Sequence, residues 1–187
     1  RRSLNLLLLE WQNRGINLWK LNQVTVTVAT STGAYTLSSA TIEVMDVVER
    51  VSSTDIPLSR MSFSEWLAIP TKSQTSSRSL SFFVDRQSAA PTLNIWPLPD
   101  NSTNTLLFWQ VRRIEDVSSP SDNPDVPHRF LPALTAGLAY HMALKRPGVP
   151  VEKIALLQGR YEQALSFAHE EDRERVSFRI VPELRIV

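Results

Sequence analysis

The chain contains no cysteine. That removes disulfides, thiolate metal sites and thiol nucleophiles together, and it fits a protein assembled in a reducing cytoplasm. Glycine is scarce as well, with 5 in 187 residues, and no Gly-rich loop that would cradle a phosphate can be traced. Charge of one sign is missing: 20 basic and 19 acidic residues give a net charge of +1 and are mixed along the chain. There is no basic stripe of the kind nucleic-acid readers carry, so sequence-specific DNA binding is not expected. Long apolar runs are absent too. Leu6 to Leu9 is among the longest, far short of the ~20 residues a membrane helix needs. Arg1-Arg2 ahead of the leucines mimics a secretory signal, but Glu10 interrupts it and no small-residue cleavage site follows, so no export signal is read. The chain opens inside a helical pattern without an initiator Met, so further residues are expected upstream.

What remains is a chain with 42% hydrophobic content, enough to bury a proper core in one domain or one with an elaboration. The stretch from Pro127 to Arg175 organises the rest and predicts a helical hairpin. Between Phe130 and Leu144 nearly every residue is apolar or small, so this helix needs cover on several sides. Ala133, Ala136, Gly137 and Ala143 recur at three- and four-residue steps, which lets a neighbouring backbone approach closely. A buried core helix satisfies that pattern, and so does a helix packed both on its hairpin partner and on neighbouring subunits. Pro147-Gly148 ends the first helix and Pro150 with Glu152 suits the first turn of the second. So short a link predicts antiparallel helices. In the second helix Val151, Ile154, Leu157, Tyr161, Ala164, Leu165 and Ala168 share a face opposite Glu152, Arg160, Glu162, Gln163 and Glu170.

Leu4, Leu7, Leu8 and Trp11 predict an amphipathic helix over Ser3 to Asn13, stopped at Gly15, that packs on the hairpin. An inserted β segment follows. Val24, Val26 and Val28 alternate with Thr25 and Thr27, the period-two signature of a half-buried strand. Ser31-Thr32-Gly33 is turn chemistry from which Ala34 to Leu37 is expected to pair back. Thr41 to Val51 reads as a strand whose register is ambiguous around Met45-Asp46. Ser62-Phe63-Ser64-Glu65 fits a capping box for a short helix ending before Pro70. Thr71 to Ser79 is polar and small, either a contact tip or a mobile loop. Strands are expected at Leu80 to Asp85, Thr92 to Trp96 and Thr105 to Arg113, the last two as a hairpin around Pro97 and Pro99. Ser118 to Pro127 reads as a linker, and Pro182 keeps the final residues extended.

The expected fold class is therefore α+β: a small three-helix bundle with an inserted antiparallel β domain and an extended C-terminal tail. The expected boundaries are 1–17 with 127–175 for the bundle, 18–126 for the β domain, and 176–187 for the tail.

Convergent chemistry is hard to find. His128, His141 and His169 lack metal-ligand spacing. Glu170, Glu171, Asp172 and Glu174 offer carboxylates for a cell-wall hydrolase, yet Arg173 and Arg175 beside them read better as a solvated charged helix end. Of the five Trp, Trp11, Trp66 and Trp109 read as core. Trp19 and Trp96, near element ends, suit a carbohydrate-binding module. No cofactor, metal or catalytic residue is expected.

The segments LNLLLLEWQNRGINLW, DIPLSRMSFSEWLAIP, FVDRQSAAPTLNIWPLPD and DVPHRFLPALTAGLAYHMALKRPG, followed by RYEQAL and EEDRER, carry a likeness that spans nearly the whole chain. In order and texture the chain resembles the head-to-tail adaptor proteins of short-tailed bacteriophages, also called tail accessory factors or packaged-DNA stabilisation proteins. The resemblance implies a non-enzymatic virion protein, assembled in the host cytoplasm, that forms a dodecameric ring between the portal and the tail nozzle or tail fibre proteins. Double-stranded DNA passes through the ring, without sequence preference and with no membrane involved. On that reading Ala133, Ala136 and Gly137, together with the tail residues Phe178, Ile180, Leu184 and Ile186, are candidate subunit or portal contacts. Lys72, Gln74 and Arg78 are candidate nozzle contacts.

Overall fold

The structure, a computed structural model, describes residues 1–16, 18–87, 89–119 and 121–171. The expected tail at 176–187, with its four candidate contacts, lies outside the described residues. Two compact units emerge: Leu8–Asp116, and a second made of Arg1–Leu7 with the described residues that follow Asp116. The fold is mixed α+β, with four helices and mainly antiparallel sheets among the described residues.

The apolar spacing at the N-terminus becomes α1, Arg2–Asn13, with Leu7, Leu8 and Trp11 buried. Gly15 leaves it at a φ of 77°, a conformation glycine adopts without the Cβ penalty. The strands follow as β1 (Leu21–Thr27), β2 (Ala34–Thr36), β3 (Thr41–Val51), β4 (Thr54–Pro57) and β5 (Ser59–Arg60). After α2 (Phe63–Ala68) come β6 (Thr75–Ser76), β7 (Ser81–Asp85), β8 (Thr92–Trp96), β9 (Leu98–Pro99) and β10 (Thr105–Arg112).

Two four-stranded sheets result, one ordered β1-β10-β3-β4 and the other β2-β8-β7-β5, with β6 and β9 forming a short parallel pair. Val44, Val47, Leu106 and Phe108 from the first sheet and Phe82, Val84, Leu93 and Ile95 from the second belong to one buried cluster. The two sheets therefore share a core. Across β3 and β4 the register places Arg50 opposite Asp55, and the guanidinium donates two bonds of 2.6 and 2.7 Å to that carboxylate.

The ambiguity at Met45-Asp46 is a bulge. Val47 pairs with Phe108 but Val44 pairs with Gln110, so two residues of β3 face the single Trp109 of β10. Trp109 is turned outward there and is about half exposed, as is Met45; Trp109 is thus not the core residue its strand pattern suggests.

Two pairings differ from the sequence reading. Residues 92–96 and 105–112 do not form a hairpin: β8 pairs with β7 and β2, whereas β10 pairs with β1 and β3. Nor does β2 pair back on β1; it joins β8 through Tyr35↔Leu93. In both cases turn residues mark where a strand ends, and the apolar face that needs cover selects a distant partner.

In the other unit, a 3-10 turn at His128–Phe130 leads into α3, Leu131–Lys145, and α4 spans Val151–Glu171. Pro147 and Gly148 intervene, with Gly148 at a φ of 82°. The helices run antiparallel: Gly137 meets Tyr161 midway, and Met142 and Leu157 line one cleft nearer the turn. Tyr161, Leu165 and Ala168 form the buried face of α4. Val151, expected on that face, is 81% exposed.

Candidate assembly surfaces

The small-residue stripe of α3 is used within the chain. A Cβ added at Gly137 would lie 2.8 Å from Cε2 of Tyr161 and 3.0 Å from both methyls of Leu7, so these side chains already occupy the space glycine leaves. Ala133 and Gly137 are buried and Ala136 is half-buried. What α3 shows to solvent is other apolar residues: Leu131, Met142 and Leu144. On α4 the exposed ones are Val151, Leu156 and Phe167. The sequence pattern finds a helix apolar on too many sides, but it does not tell which sides the hairpin itself covers.

Where the hairpin turns, Met142, Val149 and Leu157 line a cleft of about 710 Å³ whose charged lining residues are Lys145, Arg146 and Lys153. The Lys145 ammonium donates to the Ser3 hydroxyl at 2.9 Å. Among the described residues no carboxylate lines this cleft.

A second surface is built on α2. The Ser62 hydroxyl accepts from the Glu65 N–H at 3.3 Å, and the Glu65 carboxylate accepts from the Ser62 N–H at 2.6 Å, which is the capping box read in the sequence. Those bonds, the backbone one first and the hydroxyl second, hold the Glu65 carboxyl below its ordinary range. Yet α2 buries none of its residues: Phe63 and Leu67 are 65% and 66% exposed. They lie four positions apart on one face. Trp66 is stacked on Phe83, ring centroids 5.6 Å apart.

The polar stretch after α2 is fixed rather than loose. The Lys72 ammonium donates to the Ile69 carbonyl at 3.2 Å and sits 5.9 Å from the Trp66 ring centroid. The N–H of Leu98 donates to the Gln74 carbonyl at 2.8 Å, and that of Asp100 to Ser76 at 2.9 Å. Ser79 is buried, and its N–H donates at 2.6 Å to Glu49, a carboxylate with no exposed surface. Asn104 reaches the other oxygen of Glu49 at 2.8 Å. Composition gave no sign of this anchor, because it comes from β3, thirty residues earlier. Of the three candidate nozzle contacts, Lys72 caps α2, and Gln74 and Arg78 are exposed on the anchored stretch.

The residues considered for chemistry do not converge. His128 lies in the 3-10 turn, His141 on α3 with its ring edge-on to Tyr140, and His169 near the end of α4. Among the described residues no group of three or more His, Asp or Glu is arranged to hold a metal ion. The indole N–H of Trp96 donates to the Thr71 carbonyl at 3.1 Å, which ties that ring to the anchored stretch. No helix among the described residues is long and apolar enough to cross a membrane.

The family model described as SU10 adaptor protein matches residues 1–182. No curated protein sequence matches the chain.

Proposed function

The chain belongs to the SU10 adaptor protein family, and on that premise we propose that it is a ring-forming head-to-tail connector. Membership makes it a phage adaptor, a structural component of the virion. The finer role is our reading: copies assemble as a ring, a dodecamer by resemblance, between the portal and the tail nozzle or fibre proteins. The ring surrounds the channel through which DNA leaves. In this reading α1 joins α3 and α4 as a three-helix bundle, and the protein performs no catalysis and needs no cofactor. Assembly takes place in the host cytoplasm.

One observation carries the proposal. Large apolar side chains remain exposed on both helices of the hairpin, Met142, Leu144, Leu156 and Phe167 among them, and again on α2 at Phe63 and Leu67. Apolar surface repeated on separate elements marks contacts with other chains, and a surface offered to another copy of the same chain builds closed rings when the rotation closes. A near-neutral chain also suits a conduit, since a strongly basic lumen would retain the phosphates. The sugar-binding and hydrolase alternatives find no comparable support: Trp96 is engaged by Thr71, and the carboxylates of Glu170 and Glu171 stand on an exposed helix end.

Native mass spectrometry of the chain, alone and mixed with the portal protein of its phage, tests the proposal. A ring, free or assembled on the portal, is expected. A strict monomer indifferent to the portal at every concentration would sink it.

A further inference from the structure

Two features at opposite ends of α4 complement each other. At its N-terminal end lies the cleft lined by the apolar Met142, Val149 and Leu157 and by the basic Lys145, Arg146 and Lys153. Its volume of about 710 Å³ falls in the range (~300–1,000 Å³) of clefts that accept a ligand group. Near the C-terminal end, Phe167 is 60% exposed, and Glu170 and Glu171 are exposed after it. Spacings of three and four residues put these three side chains on one face, pointing away from the buried face of Tyr161, Leu165 and Ala168.

We propose that the Phe167, Glu170 and Glu171 face of one copy docks into the hairpin cleft of a second copy. Phe167 lies against the apolar lining, and the two carboxylates meet Arg146 and Lys153. This contact rests on the ring-forming reading above and names the surfaces that make it. Among the described residues no carboxylate lines the cleft of its own copy. Lys153 and Glu171 are separated by eighteen residues of one helix, about 27 Å of rise. The contact is heterologous, so each copy gives one face and receives on the other, which is the arrangement that propagates around a ring.

Charge reversal on the full-length chain tests this, read by sedimentation and native mass spectrometry, with thermal melts confirming that each variant is folded. Arg146→Glu with Lys153→Glu, and separately Glu170→Lys with Glu171→Lys, are each expected to weaken self-association at least tenfold, because like charges then face each other across the contact. Combining all four substitutions in one chain restores opposite charges and is expected to restore assembly to near the unsubstituted level. If either pair alone assembles as the unsubstituted chain does, or the combined variant fails to recover, the contact is overturned, while the ring reading stands as long as the unsubstituted chain forms rings. If Arg146→Glu with Lys153→Glu instead lowers retention of double-stranded DNA and leaves assembly unchanged, the cleft is a phosphate contact and the proposal is again overturned. An unsubstituted chain that is monomeric with and without portal takes down the ring reading itself.

Discussion

Replacing Glu49 by Ala should open the stretch between α2 and β7 and remove a large part of the stability of the β unit. The carboxylate has no exposed surface and accepts from the Ser79 N–H at 2.6 Å and from the Asn104 amide at 2.8 Å, both donors themselves buried. A hydrogen bond to a charged group contributes about 1.5–3 kcal/mol, so losing the two costs about 3–6 kcal/mol; the Ser79 N–H is left without this acceptor, whereas the Asn104 amide keeps a bond to the Ser77 carbonyl at 3.2 Å. The expense of burying a carboxylate, recovered on substitution, offsets part of that sum. The expected net loss is about 3–5 kcal/mol, a large fraction of the ~5–15 kcal/mol that holds a domain together. Glu49→Gln retains one acceptor oxygen and turns an amide N–H₂ toward the other donor, so about half that loss is expected. Urea denaturation measures the global loss, and trypsin measures the local one. The bond after Arg78 enters Ser79, whose N–H is the anchored group, so cleavage there should be slow in the unsubstituted protein and fast in Glu49→Ala. A Glu49→Met variant as stable as the parent, or a Glu49→Ala variant within ~0.5 kcal/mol of it and equally resistant at Arg78, would refute the reasoning.

Gly137→Ala removes a helix-interior glycine, which in an open helix gains about 1 kcal/mol, but here the methyl meets Tyr161 and Leu7. A net destabilisation of about 1–3 kcal/mol is expected from overpacking, and a raised melting temperature would contradict the close approach. Acid should selectively weaken the α2 cap. The Glu65 carboxyl is held low when folded, so its contribution is complete above the unfolded value of about 4.3 and is lost as pH falls through the folded one. Glu65→Gln, which removes the titrating carboxyl, should therefore flatten the acid limb of melting temperature against pH while leaving its shape between pH 6 and 8 unchanged; an unaltered acid limb would exclude the mechanism. Leu67→Ser should leave the melting temperature nearly unchanged, since that side chain is 66% exposed, yet weaken binding to tail partners in pull-down by isolated tail proteins. Deleting Phe178 to Val187 should leave the fold intact and reduce assembly in native mass spectrometry; unchanged assembly would remove that segment from the proposed contacts.

Apolar periodicity was enough to reveal α1, α4 and the alternating valines of β1, and a nearly unbroken apolar stretch to reveal α3, because each pattern is written within a short run of neighbouring residues. The α2 cap was equally legible, since Ser62 and Glu65 satisfy each other without outside help. The order and texture of those segments also carried the family. Pairing was another matter. Leu106, Leu107 and Phe108 are buried in succession on β10 and Leu93 and Ile95 alternate with half-buried neighbours on β8, and nothing within either strand says which other strand it joins.

Folding in three dimensions settled what depends on groups far apart in the chain. It placed β8 and β10 in different sheets, turned Trp109 out at a bulge, filled the notch at Gly137 with Tyr161 and Leu7, and tied Ser79 to Glu49. It also decided which apolar residues of the hairpin stay at the surface, and so which of them are left for a neighbouring chain. The physical reason is the same throughout: local hydrogen bonding and side-chain period act over a few residues, whereas burial is settled only when distant segments compete for the same neighbours.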